Sequence, residues 1–172
     1  MTCIAALIDA SGRVHMAGDS GLTDDSDDSK SLSTTKVFKL GGFVIGFCGS
    51  TEYCHAIRYR LKWPEAVDDV DKHMAISLPD ALRDVYTRAG LDIEKQDGGA
   101  LLGHAGRLWY LDDFACEPVV ESYWAVGSGG LGARCVLSAT REWAPRKRLT
   151  RALEAAAMHC SGVSAPFDFI SL

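Results

Sequence analysis

The chain has 172 residues, of which 47% are apolar and 24% are charged, a composition typical of a folded globular protein and not of a disordered one. Its formal net charge of −5 gives no basic surface for nucleic acid, so no nucleic-acid partner is expected. The sequence shows neither a signal-peptide pattern nor an apolar run of about 20 residues that could cross a bilayer. We therefore expect a cytoplasmic protein with no membrane partner.

Two β-hairpins are predicted in the first part of the chain. The polar turn Asp9–Gly12 joins the first pair of strands, and the two-glycine turn Gly41-Gly42 joins the second pair. The four strands are expected over 2–8, 13–17, 36–40 and 43–48. Residues 23–35 lie between the hairpins and are too polar to pack, so they are expected to form a loop.

Helices and strands then follow in separate blocks. One helix is predicted from Thr51 until Pro64 stops it, and another from a capping-box-like start at Ser77 to Gly90. Short strands, two further helices and a tail complete the chain. The strands are expected at 100–102, 108–111 and 119–120, and the helices at 133–141 and 148–160. Such segregated blocks suggest antiparallel sheets inside and helices outside.

Metal and cofactor sites are not expected. The six cysteines form no CxxC pair, and neither His104 nor His159 has a partner at metal-ligand spacing. Most of the cysteines are therefore interpreted as buried free thiols. The acidic run 24–28, DDSDD, lacks the alternating ligands, central glycine and terminal glutamate of an EF-hand calcium loop, which favours a solvated loop.

The tetrapeptide GDSG at 18–21 matches the nucleophile motif of trypsin-like serine proteases. Those enzymes place their histidine and aspartate before the serine, in two β-barrels, and the triad is defined by geometry and not by four letters. His15 precedes Ser20, but the chain before Ser20 is too short to form a first barrel. Ser20 is therefore not expected to be a nucleophile.

Five segments in a fixed order carry the strongest functional signal. They are the strand start at Thr2, AGDS at 17–20, TTKV at 34–37, GFCG at 46–49 and AVGSGG at 125–130. In this order the chain resembles the proteasome β-subunit group of N-terminal nucleophile hydrolases, and within it the bacterial HslV-type peptidases. The resemblance implies an α+β fold, a four-layer αββα sandwich, formed by a single domain over residues 1–172.

The resemblance also implies a nucleophile and its activating groups. Thr2, exposed after removal of Met1, would attack the peptide bond, and its own α-amino group, with an ordinary pKa of about 8, would take the hydroxyl proton. Lys36 stands at the position of the family lysine, whose ammonium lowers the pKa of that amine. Asp19 matches the aspartate that pairs with this lysine, so Asp19 is expected to be the working residue of GDSG.

Two further positions match family residues around the reacting carbonyl. Gly49 falls where a backbone N–H holds the oxyanion, and Ser128 falls at the serine that hydrogen-bonds near the amine. Met158 stands where many proteasome β-subunits carry an aspartate. The resemblance implies a threonine endopeptidase subunit of a self-compartmentalising homo-oligomeric ring, with an AAA+ ATPase unfoldase as a possible partner and unfolded protein or peptide substrates.

Three other interpretations stay open at this point. The chain could be a catalytically silent proteasome-like ring protein, which is favoured if Met1 is retained. It could instead be an N-terminal nucleophile amidohydrolase that acts on small amides without an unfoldase. Cys3 is a rival nucleophile, but its use would require the loss of two residues and would shift the register of the first strand.

Overall fold

A computed structural model describes residues 1–23, 29–31, 35–65 and 68–172; for 22–23 and 29–31 only the backbone is described. In these ranges the strands are β1 (Ile4–Ile8), β2 (Val14–Asp19), β3 (Gly21–Thr23), β4 (Ser29–Ser31), β5 (Val37–Leu40), β6 (Phe43–Cys48), β7 (Gly99–His104), β8 (Arg107–Asp112), β9 (Ala115–Pro118), β10 (Tyr123–Val126) and β11 (Phe167–Ser171). The helices are α1 (Thr51–Arg60), α2 (Val70–Lys72), α3 (Leu78–Arg88), α4 (Gly130–Ala139) and α5 (Pro145–His159). A π-helical turn, His73–Ser77, connects α2 with α3, and a 3₁₀ turn spans Ile93–Lys95.

The strands form two antiparallel sheets and one small ribbon. The first sheet has the order β10-β1-β2-β11, the second has the order β5-β6-β7-β8-β9, and β3 pairs with β4. Both predicted hairpins are present, since β1 pairs with β2 and β5 pairs with β6. The alternation of apolar residues along these strands gives each sheet two faces, and both faces are buried.

Three apolar clusters hold the layers together. The two sheets bury one cluster between them, which includes Ile4, Met16, Val44 and Leu101. Helices α4 and α5 pack on the outer face of the first sheet, and α1 and α3 pack on the outer face of the second. The layers therefore follow the order helix, sheet, sheet, helix, which confirms the four-layer αββα sandwich expected from the sequence.

Several local predictions are wrong. The tail includes a strand, β11, which pairs with β2 at the edge of the first sheet. Residues 21–23 and 29–31 pair as short strands, whereas 23–35 were expected to form a loop; residues 24–28, with the acidic run, and 32–34 lie outside the described residues. The strand expected at 119–120 is absent because β9 ends at Pro118 and Val120 is exposed.

The second helix starts earlier than the capping signal predicts. Ser77 has helical backbone angles and makes no side-chain capping hydrogen bond, because the chain is already helical from Val70 through the π-helical turn. The expectation of mostly buried thiols is also only partly met. Cys3 and Cys116 are buried, Cys135 is exposed, and Cys48, Cys54 and Cys160 are half-buried. No helix in the described ranges is long and apolar enough to cross a membrane.

Candidate active site

The pairing of β1 with β2 brings Asp19 to the backbone that precedes β1. The register pairs Ile4 with Gly18, so Asp19 lies beside Cys3 at the ends of the two strands. The N–H of Asp19 donates to the carbonyl of Cys3 over 3.2 Å, and the N–H of Cys3 donates to Asp19 Oδ1 over 2.9 Å. A second backbone N–H, that of Gly21, donates to Asp19 Oδ2 over 2.9 Å. These bonds fix the carboxylate next to Thr2.

Lys36 approaches the same point from the second sheet. It immediately precedes β5, and its ammonium lies 3.0 Å from Thr2 Oγ1. The same Nζ lies 3.0 Å from each carboxylate oxygen of Asp19 and 2.5 Å from the carbonyl oxygen of Gly21. The lysine therefore bridges a buried carboxylate and the threonine hydroxyl.

The Asp19–Lys36 pair is almost fully removed from water. The side chain of Asp19 is 0% exposed and that of Lys36 is 13% exposed. Burial of a charge is costly unless the charge is paired and its remaining hydrogen-bonding sites are satisfied. The carboxylate accepts from two backbone N–H groups and from the ammonium, so both oxygens are satisfied. The pair holds a positive charge next to the threonine hydroxyl.

The turn between β10 and α4 closes the other side of Thr2. The N–H of Thr2 donates to Ser128 Oγ over 3.2 Å, and that hydroxyl donates to the Thr2 carbonyl over 3.3 Å. The N–H of Gly129 also donates to the Thr2 carbonyl, over 3.2 Å. Gly127 has a φ of +86°, and a Cβ there would lie 2.3 Å from the Thr2 carbonyl oxygen, so the turn requires glycine.

Gly49 lies one residue beyond β6, after Cys48. Its φ of +121° is one that a residue with a side chain rarely adopts, and a Cβ there would lie 2.5 Å from the Cα of Gly98. No acceptor in the described parts of the chain takes a hydrogen bond from the Gly49 N–H. The Cys48 side chain reaches the Gly127 turn, where a Cβ on Gly127 would lie 3.5 Å from Cys48 Cβ. The backbone at Gly49 thus carries an N–H donor near the turn that contacts Thr2.

Met1 contacts the site directly. The Thr2 hydroxyl donates to the Met1 carbonyl over 2.8 Å, and Lys36 Nζ lies 3.4 Å from that same oxygen. With Met1 in place the nitrogen of Thr2 is a peptide nitrogen and has no lone pair available for a proton. The sequence pointed to Met1 as the residue that blocks the amine, whereas the bond from Lys36 to the Gly21 carbonyl was not predicted.

The rival nucleophiles are poorly placed. Ser20 Oγ is buried and has no hydrogen-bond partner among the described residues, and His15 bonds instead to Asp9 and Ser171. Cys3 is fully buried, and burial, reinforced by the Asp19 charge, raises the pKa of its thiol to about 12. A thiol with that pKa supplies almost no thiolate at neutral pH.

Of the predicted site residues, the structure brings Thr2, Asp19, Lys36 and Ser128 into one hydrogen-bonded cluster. Gly49 makes no hydrogen bond to that cluster, and the contact with the Gly127 turn is made by its neighbour Cys48. In the described residues no group of three or more His, Cys, Asp or Glu side chains could hold a metal ion. The arrangement can activate a hydroxyl by means of a nearby cation and, if Met1 is removed, an amine.

Comparison by sequence finds no protein-family model and no curated protein that match the chain. Comparison by structure finds strong similarity. BPH of Thiobacillus denitrificans, solved in complex with epoxomicin, has a TM-score of 0.79 at 16% identity, over 99% of this chain and 98% of that chain. HslV from Trypanosoma brucei has a TM-score of 0.73 at 18% identity, over 99% of both chains. Anbu, the ancestral beta-subunit, from Yersinia bercovieri has a TM-score of 0.72 at 16% identity, over 100% of this chain and 81% of that chain.

These similarities extend over the whole chain. The two sheets and their helical layers therefore have the proteasome-like fold that these structures share. In this fold the Thr2 cluster lies where β1, β2, β5 and the turn after β10 meet.

Proposed function

We propose that this chain is a threonine-type peptidase subunit whose nucleophile is Thr2 once Met1 has been removed. The observation that carries the proposal is the position of the Lys36 ammonium. It lies 3.0 Å from Thr2 Oγ1 and at the same distance from both oxygens of the buried Asp19. A cation held in this way next to a buried hydroxyl lowers the pKa of a neighbouring amine and stabilises the alkoxide character of the attacking oxygen.

The proposed reaction has two halves. The neutral α-amine of Thr2 takes the hydroxyl proton while Oγ1 bonds to the carbonyl carbon of the substrate, which forms a tetrahedral oxyanion. The amine then passes the proton to the leaving nitrogen, the C–N bond breaks, and an ester to Thr2 remains. Water, deprotonated by the same amine, attacks the ester, releases the acid and restores the hydroxyl.

The other site residues have roles that fit this sequence of steps. The Gly49 N–H has no acceptor in the described parts of the chain and is proposed to bind the oxyanion. Ser128 accepts a hydrogen bond from the Thr2 nitrogen and is proposed to orient the mature amine. Asp19 pairs with the Lys36 ammonium and fixes its position, so the mostly buried cation is held at Oγ1.

The assembly and the substrates are also part of the proposal. We propose a homo-oligomeric ring in the cytoplasm, formed by a single-domain subunit, that encloses its sites and digests unfolded proteins or peptides, fed by an AAA+ ATPase. The support is the likeness in fold to HslV and to Anbu, an ancestral beta-subunit. Enclosure of the site would protect folded proteins from a nucleophile with no built-in specificity domain.

A second candidate is a catalytically silent ring protein. The carbonyl of Met1 accepts from the Thr2 hydroxyl and lies 3.4 Å from Lys36, so a retained Met1 would block both groups. The observation that separates the two candidates is the mass of the purified protein. Loss of one methionine is expected in an active preparation, because threonine is small enough for a methionine aminopeptidase to remove the residue before it.

Activity is tested with fluorogenic peptide amides and with simple small amides in parallel. We expect turnover of the peptides, inhibition by epoxomicin, which was found in complex with the Thiobacillus protein, and loss of turnover in Thr2→Ala. Faster turnover of small amides than of peptides would point instead to an amidohydrolase. Active protein that uniformly retains Met1 would overturn the Thr2 mechanism.

The ring is tested separately by light scattering or mass photometry of the same preparation. A particle of several subunits is expected at working concentration. A monomer that still hydrolyses peptides would remove the enclosed chamber from the proposal and leave the Thr2 mechanism in place.

A further inference from the structure

The residue that follows α5, Cys160, touches the proposed site from outside the motifs that define it. Its Sγ lies 3.1 Å from Ser128 Oγ, to which the thiol donates. It also lies 3.7 Å from Met1 Sδ, so the thiol borders the space that the Met1 side chain occupies. Cys160 is half-buried and ends α5, where the backbone turns from helical to extended.

We propose that Cys160 is a positioning residue for the Thr2 amine and that it acts through Ser128. This inference rests on the proposed function, because it concerns the amine that the removal of Met1 creates. The proposal adds a residue to the proposed machinery that no motif in the sequence singles out.

The orientation of the Ser128 hydroxyl depends on how many hydrogen bonds it can make. A hydroxyl has one proton to donate and two lone pairs that can accept. Ser128 donates its proton to the Thr2 carbonyl and accepts from the Thr2 N–H and from the Cys160 thiol. All three positions are occupied, so the hydroxyl has a single orientation, in which it accepts from the Thr2 nitrogen.

This orientation favours the neutral amine. When the Thr2 amine donates one N–H to Ser128, it can direct its lone pair to Oγ1 of Thr2. The thiol also occupies one lone pair of Ser128 Oγ, which makes that oxygen a weaker acceptor for an ammonium. Loss of the thiol donor should therefore raise the pKa of the amine.

Other ionisable groups lie near the Thr2 amine, and their hydrogen bonds must be the same in wild type and in the Cys160 variants. Asp19 from β2 and Lys36 before β5 form the buried ion pair. The thiols of Cys3 and Cys48 lie close by, and burial raises the pKa of both. None of these groups is hydrogen-bonded to Cys160, so a substitution at 160 leaves their hydrogen bonds in place. The one electrostatic link is to Cys3, whose raised pKa has a smaller contribution from Cys160 than from burial and Asp19.

The kinetic test compares Cys160→Ala, which removes the donor, with Cys160→Ser, which keeps one. For Ala we expect kcat to fall about 3- to 10-fold, the effect of one hydrogen bond, with KM almost unchanged. The acidic limb of the kcat–pH profile should move to higher pH. Cys160→Ser should restore both the wild-type kcat and the wild-type position of the acidic limb. A merely structural cysteine would leave the limb in place, and Ala and Ser variants with the wild-type profile would overturn the proposal.

A second test measures the amine without turnover. Chains labelled with ¹⁵N-threonine, with Met1 removed, are titrated by NMR, and the amine of Thr2 should titrate at higher pH in Cys160→Ala than in wild type or Cys160→Ser. Equal titration overturns the role of Cys160, even if the enzyme is active. Persistent turnover by Thr2→Ala, in contrast, overturns the proposed function while the titration still decides the role of Cys160.

A chemical test uses methyl methanethiosulfonate. The Cys160 sulfur forms a disulfide with the thiomethyl group, methanesulfinate leaves with the electron pair of the broken S–S bond, and the S–H donor is lost. Turnover should fall and recover with dithiothreitol, and Cys160→Ser should be resistant. Cys135 is exposed on α4, so Cys135→Ser is the matched control and should stay as sensitive as wild type. Sensitivity that persists in Cys160→Ser would contradict the proposal.

Discussion

A cluster of one carboxylate, one basic side chain and one hydroxyl lies at each end of strand β2, and the two clusters have very different surroundings. At the end of β2, Asp19 binds Lys36, which reaches Thr2 Oγ1. At the start of β2, His15 lies 2.8 Å from Asp9 Oδ2 and 3.1 Å from the Ser171 hydroxyl. By connectivity alone, the second cluster matches a Ser–His–Asp triad better than the first does.

The surroundings of the two carboxylates explain why only the first is proposed as an active site. Asp19 is fully buried; besides the nearby N–H of Gly21, its partners are the N–H of Cys3, just before β1, and the ammonium of Lys36 from the second sheet. Asp9 is 23% exposed, and its other partners, Ser11 and Arg13, belong to its own turn. The contact between His15 and Ser171 follows from strand pairing, since these two residues are directly opposite in the β2–β11 register. Burial of the Asp19 charge is costly and therefore points to a functional role. The partly exposed Asp9 carboxylate accepts from N–H groups of its own turn, which is an ordinary structural arrangement.

The sharpest test of this comparison removes each hydroxyl. Thr2→Ala should abolish peptide hydrolysis, a loss of at least about 1,000-fold, because it deletes the attacking oxygen. Ser171→Ala should keep near wild-type turnover. Ser20→Ala is a second control, since Ser20 Oγ bonds to no described residue. Peptide turnover that survives in Thr2→Ala and is lost in Ser171→Ala would reverse the assignment of the two clusters.

The next largest effect is expected from Lys36→Ala. Without the ammonium the pKa of the Thr2 amine rises, less of the amine is neutral at pH 7, and kcat should fall about 100-fold or more. The residual rate should increase as the pH is raised, because more amine then becomes neutral. A kcat–pH profile for the variant checks this. A flat profile with the same loss of rate would indicate that Lys36 supports only the fold.

Asp19→Asn should have a smaller effect on rate than Lys36→Ala and a clear effect on stability. The amide keeps one acceptor oxygen but turns an NH₂ group toward a backbone N–H of Cys3 or Gly21, and it leaves the buried Lys36 ammonium without an opposite charge. Breaking a buried pair in this way costs about 3 kcal/mol of the free energy of unfolding. Urea denaturation of Asp19→Asn and Asp9→Asn compares the two carboxylates directly. An equal loss in the free energy of unfolding for both variants would show that the buried pair matters no more to stability than the turn does.

The sequence predicts the parts of the fold that depend on local patterns. The Gly41-Gly42 turn between two apolar strands was sufficient to place β5 and β6. Strand β11 was missed because all five of its residues are only half-buried and its partner, β2, lies about 150 residues away in the sequence. The start of the helix at Ser77 was wrong because the chain is already helical from Val70, so a local capping pattern was overridden.

The candidate site shows the same division. Asp19, Lys36 and Ser128 were found because they stand in motifs with a recognisable order, although no single motif determines the contact between them. Cys160 has no such motif around it. It reaches Ser128 because α5 ends there, a consequence of how the helix packs on the first sheet, and a single sequence does not encode that contact in any local pattern.

The smallest effect is expected from the half-buried carboxylate of Asp9, on stability at acidic pH. Hydrogen bonds from Ser11 and from His15 hold the pKa of Asp9 well below its ordinary value of about 4. Because the folded-state pKa is the lower one, the contribution of Asp9 to stability is fully present above about pH 4 and is lost as the pH falls through the folded-state pKa.

Asp9→Asn should therefore be slightly less stable than wild type at neutral pH and should lose less stability between pH 4 and pH 2. Thermal melts across that range check this. Ser11→Ala is the control, since it removes the hydrogen bond that lowers the Asp9 pKa most, and its stability should depend less on pH than that of wild type. Parallel curves for wild type and Asp9→Asn would show that the turn contributes nothing through the charge of Asp9.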